Sequence, residues 1–425
     1  TSPSPTDRRR LRIRAAVRSF LVWFAAGVSS MVGAEPAART IEVWYSYTAD
    51  TREEAVFLDA VQSFRDAYPH LTVNAERIPY VENVVQFITA SQGGEAPDLI
   101  RISHDDVGKI GYVRIEGLPL LEDLRPHLTP AQRLDYDSRG LQAMRYENAL
   151  YGIPSTGSCL ALIYNRTLFD AAGEPYPHDD WTTDDLLAAA RRLTRGEVHG
   201  MAIPVKTSYW WFGFQTGFGG ALFDAQHNPT LDSPGSADAL AFFQALEKDH
   251  RVSPRGINPE SMKTRFSQNR VAMILDGPWN WGDYLDAGVD VGIATLPVVA
   301  ETGLRMAPQL SYHGWAISKQ SAVKVEAFEL ALWLNSSDVQ RRFTEATYSP
   351  PTHLALSSDP STFDDVAAAG FLRQAESCVP APTIRGVSLI FEPLDTALQL
   401  VYEGEMEPAE ALAAANIELA AKMRE

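Results

Sequence analysis

The chain has 425 residues, 45% hydrophobic and 21% charged, which suits a folded protein and exceeds the length one core usually serves, so two domains are expected. Its formal net charge is −17, but six arginines against one aspartate in the first 34 residues conceal part of it. The remaining 391 residues hold 31 basic and 53 acidic side chains, a charge of −22 that repels nucleic acid and anionic lipid and excludes both as expected partners.

Residues 1–34 read as a cleavable export signal. A basic stretch ends at Arg18, an apolar run covers residues 20–28, and Val32-Gly33-Ala34 offers small residues for cleavage before Glu35. The 16 uncharged residues 19–34 fall short of the about 20 that a spanning helix needs. No cysteine follows them for lipid attachment, and Arg8-Arg9-Arg10-Leu11 matches a twin-arginine signal only loosely. No other segment is apolar enough to cross a membrane, so the mature chain is expected in the periplasm without stable membrane insertion.

Residues 40–45 alternate and are β-branched or aromatic, a strand. Thr51-Arg52-Glu53-Glu54 is a capping box that opens a helix. Phe57, Val61, Phe64 and Tyr68 form its apolar face, and Pro69 stops it. A strand over 71–77, a helix over 82–91 and a strand over 98–102 follow. This strand–helix rhythm predicts a parallel sheet covered by helices, with ligands bound beyond the carboxyl ends of the strands. Tyr47 and the group His104-Asp105-Asp106 lie at those ends. Residues 151–165 are a candidate crossing into a second lobe, 304–317 a crossing back and 348–353 a third. Residues 406–422 are alanine-rich and predict a surface helix without chemistry.

Only two cysteines occur, Cys159 and Cys378, and neither is in a CxxC pair, which excludes a cysteine-based zinc or iron–sulfur site. They are either one disulfide or two buried thiols, and the sequence leaves both readings open. The nine histidines have no metal-ligand spacing, and no metal or cofactor is expected.

The aromatics are the most informative local feature. Tyr209-Trp210-Trp211-Phe212 precedes a glycine-rich stretch, Trp279 and Trp281 follow the turn Asp276-Gly277-Pro278, and Trp315 follows His313-Gly314. Aromatics in turns and beside glycines point to an exposed platform. Sugars match such a platform, because their C–H faces pack on rings while their hydroxyls need hydrogen-bond partners. Any one of these rings taken alone is as readily a core residue. Asp105 and Asp106 can accept from hydroxyls, cap the following helix, or act as an acid–base pair, for which adjacent residues diverge too much. Nucleophile elbow, HExxH, P-loop and dinucleotide fingerprints are missing, which favours binding over turnover.

In order along the chain stand Pro97-Asp98-Leu99-Ile100 with His104-Asp105, Tyr151-Gly152-Ile153-Pro154 with Leu162-Ile163-Tyr164-Asn165, and Arg270-Val271-Ala272-Met273-Ile274 with Asp276-Gly277-Pro278-Trp279. Residues 292–297, Gly314-Trp315-Ala316-Ile317-Ser318 and residues 382–400 complete the set. With these the chain resembles the solute-binding proteins of bacterial ABC importers, in the maltose- and trehalose-binding branch. The resemblance implies an α/β, two-lobed periplasmic-binding-protein fold with hinge crossovers. Residues 40–156 plus 310–352 would form the N-terminal lobe, and residues 158–307 plus 357–425 the C-terminal lobe. It implies a monomer that captures an oligosaccharide, maltose or maltodextrin first and trehalose next, and delivers it to the permease subunits.

The resemblance also implies Asp105 as a hydroxyl-reading acid, Tyr209 and Trp279 as stacking rings, Phe391 as a late aromatic and Trp315 as a further contact. Tyr47, Ser158, Trp211 and Arg385 complete the expected ligand-binding set. Several polar positions depart from the maltose-binding pattern. Ile102 stands for a tryptophan, Asp106 for an arginine, Ser158 and Thr207 for glutamates, and Asp395 for an arginine. The main rival reading is a glycoside hydrolase pairing Asp105 with Asp276 or Asp283, and another is a sugar-binding sensory or adhesive module.

Overall fold

The structure is a computed structural model that describes residues 39–358, 363–380, 382 and 384–424. The expected export signal, residues 1–34, lies outside the described residues. Among the described residues, no helix is long and apolar enough to cross a membrane.

β1 (Arg39–Tyr45) turns Ile41, Val43 and Tyr45 inward. Thr51 caps α1 (Arg52–Ala67) by accepting from the Glu54 amide, and Phe57, Ala60, Val61 and Phe64 are its buried face. β2 (Leu71–Arg77) runs parallel to β1, and α2 (Tyr80–Gly93) ends on Gly94 in the left-handed conformation that glycine adopts without strain. β3 (Leu99–Ser103), buried at every position, runs parallel to β1 and passes straight into α3 (His104–Tyr112).

β4 (Ile153–Ser158) leads into β5 (Ala161–Asn165). Then come α4 (Ser208–Gly217), β6 (Met273–Asp276), the helix α5 (Trp281–Asp286), β7 (Val291–Ala294) and the long β8 (Gln309–Ile317). The chain closes with α6 (Val366–Ser377), β9 (Val379–Pro380), α7 (Phe391–Glu403) and α8 (Pro408–Lys422). α8 is not wholly a surface element, because Ala411, Leu412, Ala415 and Leu419 pack into the core.

The first sheet has six strands in the order β9-β8-β3-β1-β2, with β4 also on β8. It is mixed rather than wholly parallel, as β8 runs antiparallel to β3 and to β4. The second sheet has three antiparallel strands, β6-β5-β7. Two separate cores follow from the two sheets. The first lobe is built on Phe57, Phe64, Ile100, Ile153, Trp315 and Leu330. The second is built on Ile163, Trp211, Phe214, Phe243, Ile274 and Phe371.

The chain changes core between Cys159 and Leu160, and returns between Met306 and Leu310. It leaves again between Phe343 and Tyr348. Later, Ala375 and Cys378 touch the first core before Ile390 re-enters the second.

Trp315 sits in the middle of the first core, 1% exposed, stacked on Phe57 with ring centroids 5.3 Å apart. A cavity of indole size there has no neighbour able to fill it cheaply. Trp315→Ala is therefore expected to lower unfolding free energy by about 3–5 kcal/mol, read from the urea midpoint of the far-UV signal. A change below about 1 kcal/mol would contradict this packing.

Candidate functional site

The first half of the site hangs on the end of β3. The Ser103 hydroxyl donates to Asp106 Oδ2 at 2.7 Å, so Asp106 closes the first turn of α3. Burial raises the Asp106 pKa above the usual carboxylate range, although the Ser103 bond opposes this. The neighbouring His104 is 0% exposed, and its Nδ1 accepts from the Tyr312 amide on β8 at 3.2 Å, which leaves the ring proton on Nε2. Nε2 lies 3.0 Å from Asp105 Oδ1, but the pair is not aligned for a hydrogen bond, and neither atom has another partner. Burial works against a charge on His104; the Asp105 carboxylate outweighs it and lifts the His104 pKa above its ordinary value.

Around this pair stand groups of the same lobe. The Tyr80 ring, half exposed at the start of α2, meets His313 edge-on at 6.1 Å, and its hydroxyl lies near Ser103. Arg101 is buried within an otherwise apolar strand. Its guanidinium lies 4.2 Å above the Tyr47 ring, and its Nη1 donates to Ser46 Oγ at 3.2 Å. Burial, then Arg101 and His104, hold the His313 pKa well below the ordinary value, so this ring is neutral at pH 7.

The second half is aromatic. Buried Asp276 accepts from the Gly277 amide at 2.8 Å, from Asn280 Nδ2 at 3.0 Å and from the Tyr284 hydroxyl, which fixes the turn after β6. The Trp279 ring folds back over Gly277 so closely that a Cβ there would lie 2.0 Å from it. Glycine is thus what lets Trp279 lie in the turn, 37% exposed. Tyr209 in α4 faces it at 6.3 Å, with its hydroxyl near Ser311 of β8. Ser158 is cross-strand partner of Ser311. Asp395 of α7 accepts from the Ser208 amide at 2.7 Å, which secures the end of α4 that carries Tyr209. Phe391 contacts Phe212 at 6.0 Å.

The lobes touch on both sides of this gap. α3 packs against the 3₁₀ turn Arg385–Leu389, and Arg52 of α1 pairs with Asp286 of α5 at 2.7 Å. Asp105 bears on the Tyr209 hydroxyl from the opposite lobe, helping burial raise its pKa. Elements of the two lobes therefore meet here, with Asp105 of the first opposite Tyr209 of the second.

Asp105 thus acts on Tyr209, Tyr209 meets Trp279 and Phe391 meets Phe212, while Ser158 lies on the crossover and Tyr47, against expectation, is packed in the first core beneath Arg101. The Arg385 side chain lies outside the described residues. Trp211 and Trp315 are corrections: they are 0% and 1% exposed, inside the second and first cores. Residues 209–212 are helical, so only every third or fourth ring can face the gap, and Trp211 faces inward.

Sequence reasoning passed over Tyr80, Arg101, His313 and Phe212 as individual contacts. An arginine inside Leu99-Ile100-Arg101-Ile102 was a usable signal, since a charge in a buried strand needs a reason. The hydrolase pairing fails on geometry. Asp276 is enclosed by its three donors, and Asp283 pairs with Lys263.

The cysteines are free thiols, both buried. Among the described residues, no cluster of histidine, cysteine or carboxylate side chains could hold a metal. A cavity of about 760 Å³ lies elsewhere, lined by Arg139, Gln142, Phe212, Thr216, Phe223 and Gln309 among others; it meets the site only through Phe212.

Comparison with known proteins fits this arrangement. A galactooligosaccharide-binding protein of Bacillus subtilis is 26% identical over 365 residues, 83% of each chain. A maltotriose-binding protein of Pyrococcus abyssi is 25% identical over 346 residues, 80% of this chain and 72% of the relative. The structure of a Thermus thermophilus maltotriose-binding protein with maltotriose bound superposes with a TM-score of 0.78 at 25% identity, covering 90% of this chain and all of that one. The family model for bacterial extracellular solute-binding proteins matches residues 59–369, and the chain belongs to that family.

Proposed function

We propose that the chain captures an oligosaccharide of the maltodextrin class between its lobes and presents it, closed, to the permease subunits of an ABC importer. It would work as a periplasmic monomer released from its signal at or near Ala34. The observation that carries the reading is the buried pair His104 Nε2 and Asp105 Oδ1, a donor and an acceptor 3.0 Å apart without other partners, facing Tyr209 and Trp279. A sugar hydroxyl both donates and accepts, so one hydroxyl can satisfy both atoms while the C–H face of its ring packs on the aromatics. The maltotriose and galactooligosaccharide specificities of the relatives support the class of ligand. Lobe closure around a bridging sugar then needs no covalent step, because the sugar stabilises the form in which both walls reach it.

A thermal-shift panel of maltose, maltotriose, trehalose and a galactooligosaccharide tests this. A sugar at 100 times its Kd is expected to add about 2.7 kcal/mol to folding stability. If no sugar moves the melting temperature, the assignment fails. Trp279→Ala is expected to weaken binding about tenfold, equivalent to ~1.4 kcal/mol. Asp105→Asn should weaken it about 10- to 100-fold, as expected for loss of a charge-assisted hydrogen bond. Titration calorimetry showing either variant equal to wild type would remove that residue from the site. Gly277→Ala should mimic Trp279→Ala in affinity, because its new methyl group displaces the ring.

The pair of Arg52 and Asp286 gives a gentler outcome. Both side chains are largely exposed, 44% and 65%, so the pair is worth at most about 1 kcal/mol. Arg52→Ala should weaken sugar binding by less than about fivefold, and the difference should vanish in 1 M salt, where the Debye length is about 3 Å. An effect unchanged by salt would mean that Arg52 acts by packing rather than by charge.

A further inference from the structure

Two of the places where the chain changes core carry its two cysteines. Cys159 is the last residue of the first core before Leu160 enters the second. Cys378 ends α6 just before β9, whose Val379 pairs with Gln309 of β8. β4, which delivers Cys159, also pairs with β8, Ser158 lying opposite Ser311. The two thiols thus lie beside one strand in the same buried cluster, close enough for Cys378 to bear on the ionisation of Cys159. Both are buried, 0% and 7% exposed.

Cys378 is held in place from the second lobe. Its Sγ donates to the Gln374 carbonyl at 3.2 Å and accepts from Gln374 Nε2 at 3.8 Å. The Oε1 of Gln374, itself 0% exposed, accepts from the Leu296 amide at 2.8 Å. Cys159 is fixed by the end of β4. A bond between the sulfurs would therefore join a first-lobe strand to a segment anchored in the second lobe, at the axis about which the lobes must turn. Both thiols also lie close enough to Tyr209 to bear on its hydroxyl.

We infer that Cys159 and Cys378 are a latent disulfide site that, once oxidised, ties two crossover segments together and holds the lobes in the closed arrangement. The oxidant is an external disulfide, of low molecular weight or carried by an oxidoreductase. One cysteine thiolate attacks a sulfur of that disulfide and releases one oxidant thiol. The second thiolate then displaces the other oxidant thiol from the mixed disulfide. The protein loses two electrons and two protons, one S–S bond forms in it, and the oxidant's S–S bond becomes two thiols. The neighbouring Cys378 sulfur, together with burial, raises the Cys159 pKa, so the thiol stays protonated in the folded protein and reaction there is slow. Folding, while both sulfurs are accessible, is the favourable moment.

The test is refolding of the full mature protein in a mixture of reduced and oxidised glutathione, beside refolding in excess reductant. Alkylation under denaturing conditions counts thiols, and peptide mass spectrometry locates the bond. The expected outcome is a monomer without free thiols, about 2 Da lighter from loss of two hydrogens, with the peptides of Cys159 and Cys378 linked. Two free thiols in both preparations, or disulfide-linked dimers, would overturn the site. These readouts need no sugar, so their failure is separate from failure of the proposed function.

The effect on the hinge rests on the capture reading and is measured on the same two preparations. The oxidised form is expected to release maltotriose about threefold or more slowly, a factor equivalent to ~0.7 kcal/mol, and Cys378→Ala should abolish the difference between redox conditions. Equal release rates from verified oxidised and reduced protein would overturn the hinge role.

Discussion

Strand β8 is the constraint on which the rest of the molecule depends. It pairs with β3, β4 and β9, so it is both a central strand of the first sheet and the return path from the second lobe. Its side chains and amides also reach the site directly. The Tyr312 amide fixes the tautomer of His104, Ser311 lies near the Tyr209 hydroxyl, and His313 meets Tyr80. A rotation of one lobe against the other must bend this strand or its neighbours, and any such bend moves the polar wall and the rings together. Closure and recognition are therefore one event mechanically, because the same backbone carries both.

That coupling explains why the closed form leaves polar atoms unsatisfied. A fully matched network in the absence of ligand would stabilise closure without sugar, and an importer would then receive an empty carrier. Arg101 Nε is buried without a hydrogen-bond partner, at a cost of about 1–3 kcal/mol, while His104 Nε2 and Asp105 Oδ1 offset each other only through their charges. In the proposed function, a sugar bridging the lobes would bring hydroxyls to these atoms as the lobes close on it. The differential contact is what a population shift requires.

The sequence made some of this legible and hid the rest for identifiable reasons. Thr51 caps α1 as expected, but only half of the expected capping box forms, since the Glu54 carboxylate accepts from the Asp50 amide and the Tyr45 hydroxyl. The elements β1, α1, β2, α2 and β3 follow within two residues of the pattern. The antiparallel entry of β8 was hidden, since its partners lie more than 150 residues away. The aromatic platform was half legible. α4 is apolar on nearly every side, with Trp210, Trp211, Phe212 and Phe214 all buried, so periodicity could not sort facing rings from core rings. Trp315 misled in a different way, because the glycine before it suggested an exposed turn. Gly314 instead allows close approach of β4: a Cβ there would lie 2.5 Å from the Ile153 carbonyl oxygen.

The polar departures take on a physical meaning once the contacts are known. Asp395, where the maltose-binding pattern has an arginine, turns inward and accepts from the Ser208 amide at the N-terminus of α4. An acid suits that position because the helix dipole is positive there, whereas a cation would be repelled. Its role is to hold the helix end that carries Tyr209, and it leaves hydroxyl reading to other groups. Asp106 is likewise occupied by the Ser103 hydroxyl within its own lobe. In the proposed site, the polar groups left to meet hydroxyls are His104, Asp105, Arg101 and Tyr80, all on one lobe. A C–H group placed there against His104 and Asp105 would leave both atoms without a hydroxyl partner, so a hydroxyl at that one position is expected to favour one sugar over another.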